Sequence, residues 1–165
     1  MTWPSKRLAE PQAPPAGYVT KALVDKEEFI RVQAGIGWSM RCGQWEDLMG
    51  ELVPGGMMFC EDMASKESVA VACAMRKSAA SVELGWVAVI PAHRGKALAY
   101  ALCATLIAHV FASGYTQVNL TTQDQRLGAL KTYLQLGFKP VLEPPTLKRW
   151  QQVFDILDWP FRAEP

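Results

Sequence analysis

The chain has 165 residues, enough to bury the core of one domain; half are hydrophobic and a fifth charged, which excludes a disordered chain. Seventeen Lys/Arg against sixteen Asp/Glu leave a formal charge of +1. A broad basic footprint for nucleic acid is thereby excluded, while a local anion site is not.

Residues 1–16 carry Pro4, Pro11, Pro14 and Pro15 and read as a flexible, extended arm. A single domain follows over 17–165, with its core in 17–142 and a helical extension in 143–165. "GYVTKAL" is a first short strand. Asp25 then N-caps a helix through Phe29, Ile30 and Val32, with Glu28 three residues after the cap. A second helix is expected from about Ser39 to Leu52, because Trp45, Leu48, Met49 and Leu52 fall on one face. "PGG" at 54–56 reads as a break. Three strands follow, Met57–Met63, Ser68–Met75 and Ser81–Ile90, joined by short polar turns that suit antiparallel hairpins.

Lys96 to Ala112 reads as a buried core helix, stopped by "SGY". "TQVNLTT" is the next strand, and a strand–helix–strand run with tight loops makes it parallel to "SVELGWVAV". A helix from Arg126 to Leu136 ends at Gly137, and "FKPVL" reads as one more strand. Thr146 caps a last helix whose Trp150, Val153, Phe154 and Leu157 share a face; the pattern leaves open whether it packs on its own sheet or on a second subunit in a homodimer. The whole predicts an α/β fold, a mixed α+β sheet around a central βαβ unit.

The uncharged run from Ala97 stops being helical near Gly114, short of the roughly 20 apolar residues of a membrane span. Cys42, Cys60, Cys73 and Cys103 show no Cys-x-x-Cys spacing and no nearby histidine pair, so neither a metal site nor a disulfide framework is expected. With no secretory leader recognisable, reduced thiols in a cytoplasmic protein are the expectation.

The informative stretch is "VAVIPAHRGKALAYAL", residues 87–102. A strand ends at Pro91 and an apolar helix begins a few residues later, with Arg94, Gly95 and Lys96 at the junction. A helix N-terminus offers unpaired N–H groups and a partial positive charge. A glycine there lets an anion approach the backbone, so the junction suits a diphosphate. Neither a P-loop nor a Gly-x-Gly-x-x-Gly turn is present, which argues against a nucleoside triphosphatase and a dinucleotide oxidoreductase.

With its neighbours, this stretch resembles the acetyl-coenzyme A signature of the GNAT-type N-acetyltransferases, through Val89, Pro91, Arg94, Gly95, Lys96 and Ala99. "ALKTYLQLGFKP" is similar to the family's second signature, through Ala129, Leu130, Tyr133, Leu136, Gly137 and Phe138. The resemblance covers about Gly17 to Leu142 and implies a GNAT-like acyl-CoA N-acyltransferase fold. It further implies transfer of an acetyl group from acetyl-CoA, with no metal, to a primary amine on a small molecule or peptide. Membrane and nucleic-acid partners are not expected.

In the family a strand bulge pairs with the pantetheine arm, which maps to Val87, Ala88 and Val89. The diphosphate maps to the amides of Gly95, Lys96, Ala97, Leu98, Ala99 and Tyr100, with Arg94 beside them. Tyr133 matches the tyrosine that protonates the departing thiolate; its other reading is a packed helix tyrosine. Two positions depart from the pattern. Ala97 replaces the usual central glycine, and its backbone is expected to be helical. Arg126 replaces an asparagine that contacts the cofactor arm, and is placed to reach a phosphate instead.

An alkyl amine with pKa ~10 is about one part in a thousand neutral at pH 7, so a base would help. Glu83, on the strand leading to the bulge, is the candidate; the alternative is an exposed strand glutamate. His93 reads as a base or a solvated loop residue, and Asp124 as an amine ligand or a helix N-cap. Trp38, Met40, Trp45, Met57, Met58 and Phe59 read as core or as a partly apolar acceptor wall. The rival function is a coenzyme A-binding module without turnover.

Overall fold

The computed structural model describes residues 1–4 and 10–160. Five strands lie in the order β1 (Tyr18–Ala22), β2 (Leu52–Asp62), β3 (Ser68–Arg76), β4 (Ser81–Val89) and β5 (Gln117–Leu120). The first four pair antiparallel and β4–β5 is parallel. The hairpins and the βαβ unit expected from the sequence are therefore present. Helix α3 (Leu98–Ala112) makes the crossover.

Alternation along the strands gives the sheet two packed faces. Ala70, Ala72, Ala74, Val82 and Leu84 meet Leu98, Leu102, Leu106 and Ile107 of α3. On the opposite face Val71, Cys73, Met57 and Phe59 meet Phe29 and Val32 of α1 (Lys26–Ala34) and Leu48 of α2 (Gln44–Glu51). Asp25 caps α1 as expected, its Oδ1 accepting the Glu28 N–H at 2.9 Å. The second helix starts later than expected, after Gly43 in a left-handed conformation (φ 85°). The Arg41 N–H donates to the Gln44 side chain at 2.7 Å, so the turn before Gln44 organises the start and Ser39 does not.

"PGG" does not break the chain. β2 runs through it, and its pairing jumps from Leu52↔Met75 to Met57↔Cys73, so residues 53–56 bulge out of the ladder. A Cβ on Gly56 would sit 2.9 Å from the Ala74 carbonyl oxygen, which is why a glycine stands there. His109 of α3 donates from Nε2 to the Pro54 carbonyl at 2.8 Å and latches the bulge.

Part of the arm is built into the fold. The Met1 N-terminus and the Trp3 N–H donate to Leu120 and Val118 at 2.9 and 2.8 Å. Thr2 and Lys139 exchange two bonds of 2.8 Å. Trp3 is 6% exposed and packs against Phe111 and Phe138. Further on, the Gln12 backbone bonds to Thr105 of α3. The expectation of a flexible arm over 1–16 is thus corrected at residues 1–3 and 12; residues 5–9 lie outside the described ones. This cover lets α3 be apolar all round. The expected strand "FKPVL" is reduced to a single bridge, Lys139 to Thr2.

The last two helices are α4 (Leu127–Leu136) and α5 (Pro144–Leu157). α5 starts earlier than expected: Glu143, not Thr146, is its N-cap, and Thr146 lies in the first turn, where its hydroxyl accepts the Glu143 N–H at 3.2 Å. Val153 and Phe154 are buried, and Arg149 pairs with Asp124 at 2.7 Å. α5 therefore packs on its own chain. Among the described residues, no helix is long and apolar enough to cross a membrane.

Candidate active site

β4 and β5 pair only over Ser81–Leu84 and Gln117–Leu120, so beyond Leu84 the two parallel strands part. Here β4 bulges. Its register with β3 passes from Gly85↔Cys73 to Ala88↔Val71, which leaves Trp86 and Val87 against a single β3 residue. Trp86 takes φ +54°, a left-handed value unusual for a bulky residue. Val87 and Val89 pack with the α3 cluster, and Ala88 is buried with the α1 cluster.

After β4 the chain makes a short 3-10 turn, Pro91–His93, and Gly95 follows with φ +75°. Nothing lies within 4 Å of where a Gly95 Cβ would be, so the backbone is open to an approaching group. The first backbone bond of α3 runs from the Ala101 N–H to the Ala97 carbonyl at 3.0 Å. Among the described residues, the N–H groups from Gly95 through Tyr100 therefore have no backbone acceptor. Six consecutive donors at the front of a buried helix are open to hydrogen-bond an anion. The expectation for Ala97 is corrected: it is not helical but the N-cap of α3, with φ 57° and ψ 17°.

The basic side chains at this turn are tied to the protein. Arg94 Nε donates to the Val89 carbonyl at 3.1 Å, fastening the turn to the end of β4. Lys96 Nζ donates to the Tyr18 hydroxyl at 2.7 Å and lies 5.4 Å over that ring. An ammonium only donates, so the Tyr18 oxygen accepts from Lys96, and the same oxygen shares a hydrogen bond with His93 Nδ1, 2.8 Å away. No local pattern links Tyr18, over seventy residues earlier, to this turn.

Tyr133 is 7% exposed and packs in the α3 cluster with Leu98, Leu102 and Leu84. Its hydroxyl has no hydrogen-bond partner among the described residues. Burial pushes the phenol well above its ordinary range; Cys103 adds to the shift and Arg126 opposes it. The phenol is therefore neutral and holds a proton at neutral pH. Arg126 occupies the N-cap position of α4 without a side-chain cap bond. It lies near enough to Tyr133 for its charge to act on the phenol.

Glu83 stands beside Asn119 of β5, two residues before Gly85. Its Oε2 lies 3.6 Å from Lys77 Nζ, which also holds Glu51 at 2.6 Å. Val82 and Leu84 face α3, so Glu83 faces the other side of the sheet from Tyr133. Asp124 is neither cap nor free; it is the partner of Arg149. Met57, Met58 and Phe59 are core. Trp38 and Trp45 join Phe29 and Trp86 in a half-buried aromatic cluster beside the bulge, with Trp38 and Trp86 edge to face at 4.8 Å. Two members of this region escaped the sequence reading, Trp86 and the buried Gln33, whose Nε2 donates to the Trp86 carbonyl at 3.0 Å.

The model of the acetyltransferase (GNAT) family matches residues 31–138. Comparison with curated proteins gave no match. Among solved structures, a GCN5-related N-acetyltransferase from Sphaerobacter thermophilus superposes with a TM-score of 0.66 at 17% identity, over 82% of this chain and 45% of that one. The chain thus spans under half of that protein's length. The ribosomal-protein-S18-alanine N-acetyltransferase from Escherichia coli gives 0.65 at 16% identity, over 76% and 79%. A Salmonella typhimurium protein solved with its cofactor acetyl-CoA gives 0.58 at 17%, over 76% and 82%. At these identities the likeness is one of fold.

Proposed function

The chain belongs to the acetyltransferase (GNAT) family, and from that premise we propose that it transfers an acetyl group from acetyl-CoA to a primary amine by direct attack. The observation that carries this reading is the run of unpaired N–H groups from Gly95 to Tyr100, set beside strands that part at Leu84. The donors suit a diphosphate, and the open edge of β4 at Val87–Val89 suits the amide-bearing arm that leads from it.

When bound, acetyl-CoA supplies the thioester carbon that the amine attacks, so that a C–N bond forms as the C–S bond breaks. The neutral Tyr133 hydroxyl gives its proton to the departing sulfur. Arg126, at the N-cap position of α4, lends positive charge where the sulfur becomes anionic. Glu83, oriented by Lys77, takes the proton that the attacking nitrogen loses. Trp38 and Trp86 form the wall on the amine's side, which suits an acceptor with a partly apolar body.

Thiol release from acetyl-CoA with a panel of small and peptide amines tests the proposal, using the native chain and Tyr133→Phe. The reading expects turnover with at least one amine, and a roughly 100-fold lower kcat in the variant, the usual scale for a lost general acid. Cofactor affinity should be unchanged in that variant. Equal kcat removes Tyr133 from the chemistry. Tight binding without turnover on any amine assigns the chain to the rival reading, a coenzyme A-binding module. The left-handed Ala97, standing where the family has glycine, is the observation favouring that rival.

A further inference from the structure

Of the described residues, Gln33 and Ser68 are the buried polar ones. Gln33 is 3% exposed and sits in the last turn of α1. A buried amide carries a desolvation cost that only hydrogen bonds offset. Its Nε2 donates to the Trp86 carbonyl at 3.0 Å. A carbonyl only accepts, which fixes the amide's orientation. Gln33 is also held through its backbone, since its own carbonyl accepts the N–H groups of Ile36 (3.1 Å) and Trp38 (3.0 Å).

The contacts close a circuit. Gln33 holds the Trp86 carbonyl, the Trp86 ring meets the Trp38 ring at 4.8 Å, and the Trp38 N–H returns to Gln33. The end of α1 lies so close to β4 that a Cβ on Gly35 would fall 2.7 Å from Ile90 Cγ2. The circuit surrounds the one place where β4 leaves its register with β3, at a residue with φ +54°. In a trans peptide the C=O and the following N–H point in opposite directions. A Trp86 carbonyl fixed toward α1 therefore aims the Val87 N–H away from α1, from a residue that has no register partner on β3.

We propose that Gln33 is a positioning residue: it locks the left-handed Trp86–Val87 peptide so that the Val87 N–H is preset as a donor to the thioester oxygen, and it ties that donor to the Trp38 wall. This rests on the acetyl-transfer reading. Gln33 acts through Trp86 and touches no reacting atom.

Two variants test it. Gln33→Leu removes the bond and leaves an apolar group where burial suits it. Gln33→Glu has no donor when ionised but regains one O–H when protonated. The proposal expects kcat to fall about 10- to 100-fold in Gln33→Leu, less than the roughly 100- to 1000-fold cost of removing such a donor because the Val87 N–H is misaimed and not lost, with coenzyme A affinity and the urea midpoint close to native. In Gln33→Glu the rate relative to native should recover as pH falls through the carboxyl's titration, while Gln33→Leu stays flat. A native kcat in Gln33→Leu overturns the proposal. So does a Gln33→Leu structure in which Trp86 keeps its left-handed φ. If Trp86 relaxes in that variant but the native chain itself acetylates no amine, the geometric role of Gln33 stands and the acetyl-transfer reading fails.

Discussion

Ala97→Gly separates two conformations by the sign of its effect. Ala97 caps α3 at φ 57° and ψ 17°, where a residue with a Cβ incurs roughly 1–2 kcal/mol and glycine none. Glycine also loosens the unfolded chain, which returns roughly 0.4–1 kcal/mol of that gain. Ala97 is exposed, so lost packing contributes little. The net expectation is a stabilisation of about 1 kcal/mol, or about 2–4 °C in Tm for a chain of this size. A helical Ala97, which the sequence suggests, would make the same change destabilising by about 1 kcal/mol. Urea denaturation at matched m-values, with a thermal melt beside it, measures the difference. A loss of stability in Ala97→Gly refutes the left-handed turn, and with it the geometry that frees the N–H groups behind it.

Two further outcomes follow from burial. The Ser68 hydroxyl is buried without a hydrogen-bond partner among the described residues, so Ser68→Ala should raise stability by about 1 kcal/mol in urea; a comparable loss would mean that the hydroxyl is satisfied. Burial pushes the Cys60 and Cys103 thiols from 9.0 to about 11 and about 12. Above pH 9 the unfolded chain sheds protons that the folded chain keeps, so the stability present below pH 9 is lost as pH rises toward those values. The slope is ~1.4 kcal/mol per pH unit for each thiol. A urea midpoint that is flat from pH 8 to 10.5 would contradict their burial.

What the sequence made legible was local. Capping by Asp25, the apolar run of α3, the glycine at the diphosphate turn and the "ALKTYLQLGF" helix each lie within a dozen residues, and each stands where expected. What it hid depends on distant partners or on single dihedral angles. Met1–Trp3 pair with Val118, Leu120 and Lys139, more than a hundred residues away, which no window through four prolines reveals. The tie between Lys96 and Tyr18 joins the turn to β1, far away in the chain. Ala97 has a helix former's identity, but the turn that Gly95 begins places it in the left-handed region. The bulge at Trp86 arises from two strands pairing on either side of it, and Gln33, read alone, is an unremarkable helix glutamine. "PGG" misled for a related reason: its glycines let β2 bulge and resume pairing.

The central claim is that main-chain N–H groups at the front of α3 hold the diphosphate of coenzyme A. Titration of the ¹⁵N-labelled chain with coenzyme A, followed by amide chemical shifts, tests this most directly. The account predicts that the resonances of Gly95 through Tyr100 move first and furthest, saturating together with Val87 and Val89. Saturable binding that leaves those six amides unmoved while others shift would contradict it.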